Sequence, residues 1–157
     1  MSSELERLAE QLQLALEGDA WHGPSVLGGL DGVAAEQASS HPIPTAHSMW
    51  ELVLHIRSDY TLILRRLAGD GRPFTPEEDW PACPPATAEN WREAVEELRR
   101  LNLQLREAVL AFPAHRLDEP LVSEVPYSAY TQFIGVTQHN LYHAGQISLL
   151  KRALTTI

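Results

Sequence analysis

The sequence predicts an all-α protein built on a four-helix bundle. Four stretches carry apolar side chains at the three- and four-residue spacing that is typical of amphipathic helices. Segments rich in glycine and proline separate these stretches, and none shows the alternating pattern of a half-buried strand. Four helices of about 15 to 27 residues are enough to close a bundle. We expect a single domain spanning residues 1–157.

The first predicted helix covers residues 3–17, carries leucines on one face and ends at Gly18. A long connection, residues 18–47, follows it. Long structureless segments are uncommon inside compact domains. We therefore expect this connection to pack on the bundle and to contain short helices at residues 25–30 and 33–38.

The second predicted helix begins with a capping box formed by Ser48 and Glu51 and continues to Ala68. Five prolines between residues 72 and 86 then predict a loop, because proline removes a backbone donor and interrupts helices and sheets alike. The prediction therefore places a second long connection between the second and third helices.

The third predicted helix follows Thr87, a candidate N-cap, and extends to Ala111, where Pro113 stops it. Ser128 is the candidate cap of the fourth helix, whose periodic pattern occupies residues 131–157. This last stretch carries the residues on which the functional interpretation depends.

Composition and charge exclude several classes of protein. The net charge of −9 argues against a nucleic-acid-binding protein, which normally presents a basic face, and leaves no polybasic patch for an anionic membrane. No apolar run approaches the roughly 18 residues that a membrane span needs. Cys83 is the only cysteine, so no intramolecular disulfide and no cysteine-rich zinc site can form. These features predict a cytoplasmic protein.

Two histidines form the clearest candidate site. His139 and His143 stand four residues apart, which places their side chains about 40° apart around the fourth helix and within its apolar face. Buried imidazoles need hydrogen-bond partners or a metal ion. The pattern leaves both readings open, because Gln132 and Gln146 lie on the same side and offer hydrogen bonds.

His55 is the natural third metal ligand, since the second helix is expected to pack against the fourth. Three imidazole ligands that leave one or two coordination positions open suit zinc, nickel, cobalt or iron(II). Glu51 and Asp59 lie one turn either side of His55 and offer second contacts to a ligand ring, but we favour a solvated helix edge for both. A structural role is also favoured for His22.

The remaining motifs add little. No HExxH pair marks a zinc protease, no Glu-x-x-His pair marks a ferritin-like di-iron bundle, and no glycine-rich phosphate loop occurs. Cys83 lies in a proline-rich loop without an identifiable activating partner. His41, His47 and His115 are expected at the surface.

Three segments resemble the DinB-like (DinB/YfiT-like) family of bacterial proteins and occur in the family's order. They are AWHGPSVLGGLDGVAAEQA, HSMWELVLHI and QHNLYHAGQISLLKRAL. The resemblance implies a four-helix bundle in up-down-down-up order with long crossover connections. It also implies a divalent metal, nickel or zinc, bound by His55, His139 and His143, and a homodimer. The family name refers to induction by DNA damage and implies no DNA binding.

The resemblance also indicates a class of function. Related branches are thiol-dependent transferases or isomerases that use a low-molecular-weight thiol, such as bacillithiol, mycothiol or glutathione, together with the metal. We therefore expect a metal-dependent enzyme, thiol-dependent S-transferase-like or hydrolytic, that acts on a small-molecule substrate. Arg57, Arg72 and Arg116, taken as loop residues, are candidate carboxylate binders, and none stands out. No protein general base is identified.

Two other functions remain open. The protein is alternatively a non-catalytic, stress-associated binding protein whose metal is structural or sensory. In a third interpretation, the histidines are hydrogen-bonded core residues and bind no metal. An open coordination position on the metal favours catalysis, whereas a fourth protein ligand favours a structural ion.

Overall fold

The computed structural model describes residues 2–21 and 23–155, and its regular structure there is helical. The four long helices are α1 (Glu4–Leu16), α4 (Met49–Leu67), α6 (Ala88–Ala111) and α7 (Ala129–Leu154). The short ones are α2 (Val26–Leu30), α3 (Ala35–Ser39), α5 (Pro76–Asp79) and a 3₁₀ turn (Ala114–Arg116). Within the described residues no β-strand forms, although Pro120 and Ser128 make an isolated bridge. The all-α prediction is confirmed.

The helices begin where the sequence places hydroxyl caps. The side chains of Ser3, Ser48, Thr87 and Ser128 each accept a hydrogen bond from the backbone N–H three residues later, which satisfies one of the free donors at a helix start. The two short helices predicted in the 18–47 connection form as α2 and α3.

Helix α5 was not predicted, because the five prolines of the 72–86 segment indicated a loop. Thr75 caps this single turn, Pro76 occupies its first position, and Glu78 completes a capping box. Proline is compatible with a first helical turn, where its missing N–H would have no intrahelical partner. The prediction of an uninterrupted loop was therefore wrong at this turn.

The four long helices bury a common apolar core. Helices α6 and α7 each pack against both α1 and α4, while α2 packs on α7 and α3 packs on α4 and α6. Gly29 of α2 lies so close to α7 that a Cβ atom there would stand 3.0 Å from Ile147 Cγ2. The 18–47 connection therefore covers the helices, as expected. No helix among the described residues combines the length and apolar character that crossing a membrane requires.

A buried polar network contacts all four long helices. The Tyr60 hydroxyl of α4 accepts hydrogen bonds from Asn102 Nδ2 of α6 at 3.1 Å and from Asn140 Nδ2 of α7 at 2.6 Å. Asn102 Nδ2 also contacts the Leu12 carbonyl of α1 at 3.4 Å. Because Tyr60 and Asn140 directly follow Asp59 and His139 in the chain, this network fixes α4 and α7 beside the candidate site.

Candidate metal centre

Three imidazole rings meet where α4 faces α7. His139 Nε2 lies 3.0 Å from His55 Nε2 and 2.9 Å from His143 Nε2. One ligand nitrogen from each ring lies within 4.8 Å of the others. The tertiary structure thus brings His55 against His139 and His143, although His139 lies 84 residues after His55 in the chain.

The opposite ring nitrogens face oxygen atoms. His55 Nδ1 lies 2.9 Å from the Asp79 carbonyl and 3.1 Å from Asp79 Oδ1. His143 Nδ1 lies 2.6 Å from Gln146 Oε1. Asp59 Oδ2 is 2.8 Å from His139 Nδ1, although this contact does not meet hydrogen-bond geometry. Carbonyl and carboxylate oxygens only accept, so these contacts favour the proton on Nδ1 and a lone pair on Nε2.

This donor set fits a divalent transition metal. The Nε2 lone pair of His139 faces those of His55 and His143 at about 3 Å, and such lone pairs repel unless a cation lies between them. Nitrogens bound to one tetrahedral zinc ion stand about 3.3 Å apart, close to this spacing. Hydrogen bonding among the rings instead requires a proton on one Nε2, and a neutral ring would then lose its Nδ1 donor.

The rings are shielded from water to different degrees. His55 and His143 are buried, whereas His139 is partly exposed. Burial lowers the pKa of His143 to about 4, an effect that Gln146 opposes and His139 reinforces. His143 is therefore neutral at pH 7, as a metal-ligating imidazole must be.

Trp80 covers the buried ring of His55. Its indole stacks on His55 with ring centroids 3.9 Å apart and on His47 with centroids 3.7 Å apart. Trp80 directly follows α5, so one short segment supplies both the acceptor for His55 Nδ1 and the face that holds the ring. Asp79 and Trp80 were not predicted as site residues, because nothing in the sequence shows where the 72–86 segment packs.

A cleft of about 300 Å³ opens on the His139 side of the centre, between α4 and α7. His139 and Asp59 form part of its wall. A larger cleft of about 1080 Å³ lies along α4, α6 and the 72–84 segment, but none of the three histidines lines it. Of these two clefts, only the smaller one is lined by a member of the histidine cluster, His139.

Comparison with known proteins identifies the family. The family model described as the DinB superfamily matches residues 24–147, which include His55, His139 and His143. This chain belongs to the DinB superfamily. Searches of curated proteins and of solved structures found no significant match.

The two carboxylates considered beside His55 have different roles in this DinB-superfamily protein. Asp59 contacts His139, so its interpretation as a solvated helix edge was wrong. Glu51 does not reach the cluster. It accepts hydrogen bonds from the Ser48 backbone and from His41, at 2.7 and 3.1 Å. These contacts make Glu51 part of the start of α4.

Cys83 and three of the other histidines are not members of the three-histidine cluster. Burial and the charge of Glu51 raise the pKa of the Cys83 thiol to about 11, although the residue is exposed, so Cys83 is a poor nucleophile. His41, His47 and His115 are exposed, as predicted. His22 lies outside the described residues.

The three arginines predicted as carboxylate binders do not contribute to the histidine site. Arg72 pairs with Glu78, and Arg116 pairs with Glu119. Arg57 belongs to α4 and lines the larger cleft, so its placement in a loop was wrong. None of the three arginines lines the cleft beside His139.

Proposed function

We propose that this DinB-superfamily protein binds a divalent transition metal, nickel or zinc, through Nε2 of His55, His139 and His143. The observation that carries the proposal is the opposed orientation of the rings. Each Nδ1 faces an oxygen, and the Nε2 atoms face one another. This arrangement fits three neutral imidazoles that share a cation.

We further propose that the metal is catalytic and that the protein is a thiol-dependent S-transferase-like or hydrolytic enzyme. A bound divalent ion lowers the pKa of a thiol or water that reaches it. Among the described residues, only the three histidines form a group that can hold a metal. The adjoining cleft supports access for a small molecule on the His139 side. A structural ion would instead be expected to have a fourth protein ligand.

The chain's own residues would prepare this chemistry. Asp79 and Gln146 accept from Nδ1 of His55 and His143 and thereby hold their Nε2 lone pairs toward the cluster. Trp80 limits rotation of the His55 ring by stacking on it. These contacts orient the ligands before any ion binds.

The proposal also includes the order of the helices in the bundle and the oligomeric state. The packing of α6 and α7 on both α1 and α4 supports the up-down-down-up four-helix bundle with long crossover connections. Tyr142 and Leu149, seven residues apart on α7 and largely exposed, support a homodimer that uses this helix face.

Metal analysis of protein purified without a histidine tag tests the central claim. We expect close to one equivalent of nickel or zinc after dialysis against either metal. His139→Ala and His143→Ala should lose it while circular dichroism still reports a folded helical protein, because the core is mainly aliphatic and aromatic. His115→Ala, at an exposed position, is the matched control and should retain the metal.

Two results would contradict the proposal at different levels. Less than about a tenth of an equivalent of metal in the unaltered protein would contradict the proposal that the three histidines bind a metal. Full metal occupancy without turnover of any thiol with an epoxide or maleyl compound, or of any ester, would leave the metal site and contradict the enzymatic function.

A further inference from the structure

The cleft beside His139 contains a cation that no carboxylate of the described chain neutralises directly. Arg66 lies on the cleft wall, and its Nη1 donates to Gln132 Oε1 at 2.9 Å. Among the residues that the structure describes, no carboxylate lies within 4.0 Å of its guanidinium. In a chain of net charge −9, a half-buried arginine without an ion-pair partner requires an explanation.

Asp59 is the acidic residue that interacts electrostatically with Arg66, but it contacts another group. Burial lowers the pKa of Arg66, and the charge of Asp59 opposes this effect. The Asp59 carboxylate lies 2.8 Å from His139 Nδ1. Arg66 remains protonated at pH 7, because an arginine guanidinium whose pKa is lowered by burial still titrates far above neutrality. A positive charge therefore faces a cleft whose own carboxylate contacts a histidine.

The guanidinium retains donors for a ligand. An arginine has five N–H donors arranged in a planar fork. Gln132 occupies one of them, and Nε is buried without a partner. Nη2 has no protein partner in the described structure, so both of its N–H donors are available to a ligand. Planar donors of this kind match the two oxygens of a carboxylate.

The rest of the cleft is largely apolar. Leu62 and Ile63 from α4 and Val136 from α7 contribute to its walls, with the polar Thr131 and Gln132 near one side. Sites for small molecules commonly combine apolar walls with a few polar groups that orient the ligand. The other charged side chain of the wall, Asp59, contacts His139. Arg66 and the apolar walls therefore favour a ligand that has one anionic group and an apolar body.

We propose that this cleft binds a small organic carboxylate, with its carboxylate on Arg66 and its apolar body against Leu62, Ile63 and Val136. The inference deepens the proposed function and rests on it, in that the bound molecule then lies beside His139 and the metal that the three histidines would hold. Arg66 is thus the specificity-determining residue for a carboxylate-bearing substrate or thiol.

Binding of hexanoate, compared with its neutral analogue hexanamide, tests the proposal. Each is titrated into the full-length protein, both as purified and after removal of metal with a chelator. Saturable changes in the backbone amide resonances of Thr131 and Gly135, on the cleft wall, report binding. Since a hydrogen bond to a charged group contributes more than a neutral one, we expect hexanoate to bind at least about tenfold more tightly than hexanamide with or without metal.

Variants assign the preference to one side chain. Arg66→Gln should reduce the difference between the two probes to about twofold or less, and Arg66→Lys should retain part of it. Arg57→Gln is the matched control, because Arg57 is a half-buried arginine of the same helix that lines the other cleft. It should leave the tenfold preference unchanged.

The outcomes separate this inference from the metal proposal. Equal binding of hexanoate and hexanamide to the unaltered protein overturns the inference, as does a preference that persists in Arg66→Gln. A preference that disappears on metal removal also overturns it, because the carboxylate then binds the metal. If the protein holds no metal but Arg66 still confers the preference, the proposed function fails and the carboxylate site stands.

Discussion

Each of the three imidazoles has a different set of oxygen atoms beside its Nδ1 atom. His55 faces both the carbonyl and the carboxylate of Asp79, His143 faces the amide of Gln146, and His139 faces Asp59 alone. Second contacts of this kind hold the ring nitrogen that binds the metal. The loss of one acceptor should therefore matter most where no other acceptor remains.

Two aspartate substitutions test this difference. Asp59→Ala removes the carboxylate that lies 2.8 Å from His139 Nδ1 and should weaken zinc affinity by about 10- to 100-fold. Asp79→Ala removes a carboxylate but leaves the backbone carbonyl 2.9 Å from His55 Nδ1, so its effect should be less than about threefold. Competition with a chromophoric chelator measures both affinities. Equal losses in the two variants would show that the carboxylates act through charge rather than by orienting the rings.

At the scale of elements, the single helical turn α5 and the residue after it provide contacts to His55. Helix α5 places Asp79 and Trp80 against His55, although the proline-rich sequence around it predicted a loop. The Trp80 indole lies between His55 and His47, which stack on its two faces. Metal binding by the three histidines should therefore change the fluorescence of this tryptophan.

Tryptophan fluorescence provides the test. Stoichiometric Ni²⁺ should quench the emission of the unaltered protein, since an open-shell ion quenches an indole that lies close to it. Most of the quenching should disappear in Trp80→Phe, whose ring can still stack on His55. Trp21→Phe is the control, because Trp21 is fully exposed, and this variant should keep the quenching. Quenching that instead depends on Trp21 would indicate metal binding elsewhere on the surface.

At the scale of the whole molecule, the Tyr60 network connects the core to the site. It joins side chains of α4, α6 and α7 and a backbone carbonyl of α1. Tyr60 and Asn140 are buried, and burial raises the pKa of the Tyr60 hydroxyl, which therefore stays protonated. Polar groups in such a core stabilise the fold only when they are hydrogen-bonded.

Tyr60→Phe should lower the free energy of unfolding by about 1–3 kcal/mol, because Asn140 Nδ2 loses its acceptor and Asn102 Nδ2 keeps only a long contact to α1. Urea denaturation followed by circular dichroism measures the change. Tyr130→Phe, at an exposed position, should change it by less than about 0.5 kcal/mol. Metal content should stay constant in both variants. A loss of metal without a loss of stability would assign Tyr60 to the site instead.

Local features of the sequence were sufficient to predict the helices. Apolar spacing and hydroxyl caps such as Ser48 and Thr87 act within a few residues of the chain, so they can be read without knowledge of the fold. The structure differs at α5, where the surrounding prolines predicted a loop but Thr75 caps a single helical turn. For the site, the spacing of His139 and His143 predicted one pair of neighbouring rings.

By itself, the sequence determined the helical class, the approximate extent of the four long helices, the His139–His143 pair and His55 as the candidate third ligand. The tertiary structure alone decided the contacts of Asp59, Asp79 and Trp80 with the three rings, and it placed Arg66 in the cleft beside them. The reason is physical. Helix formation depends on neighbours along the chain, whereas a tautomer, a stacked ring or an unpaired charge depends on groups that only packing brings together.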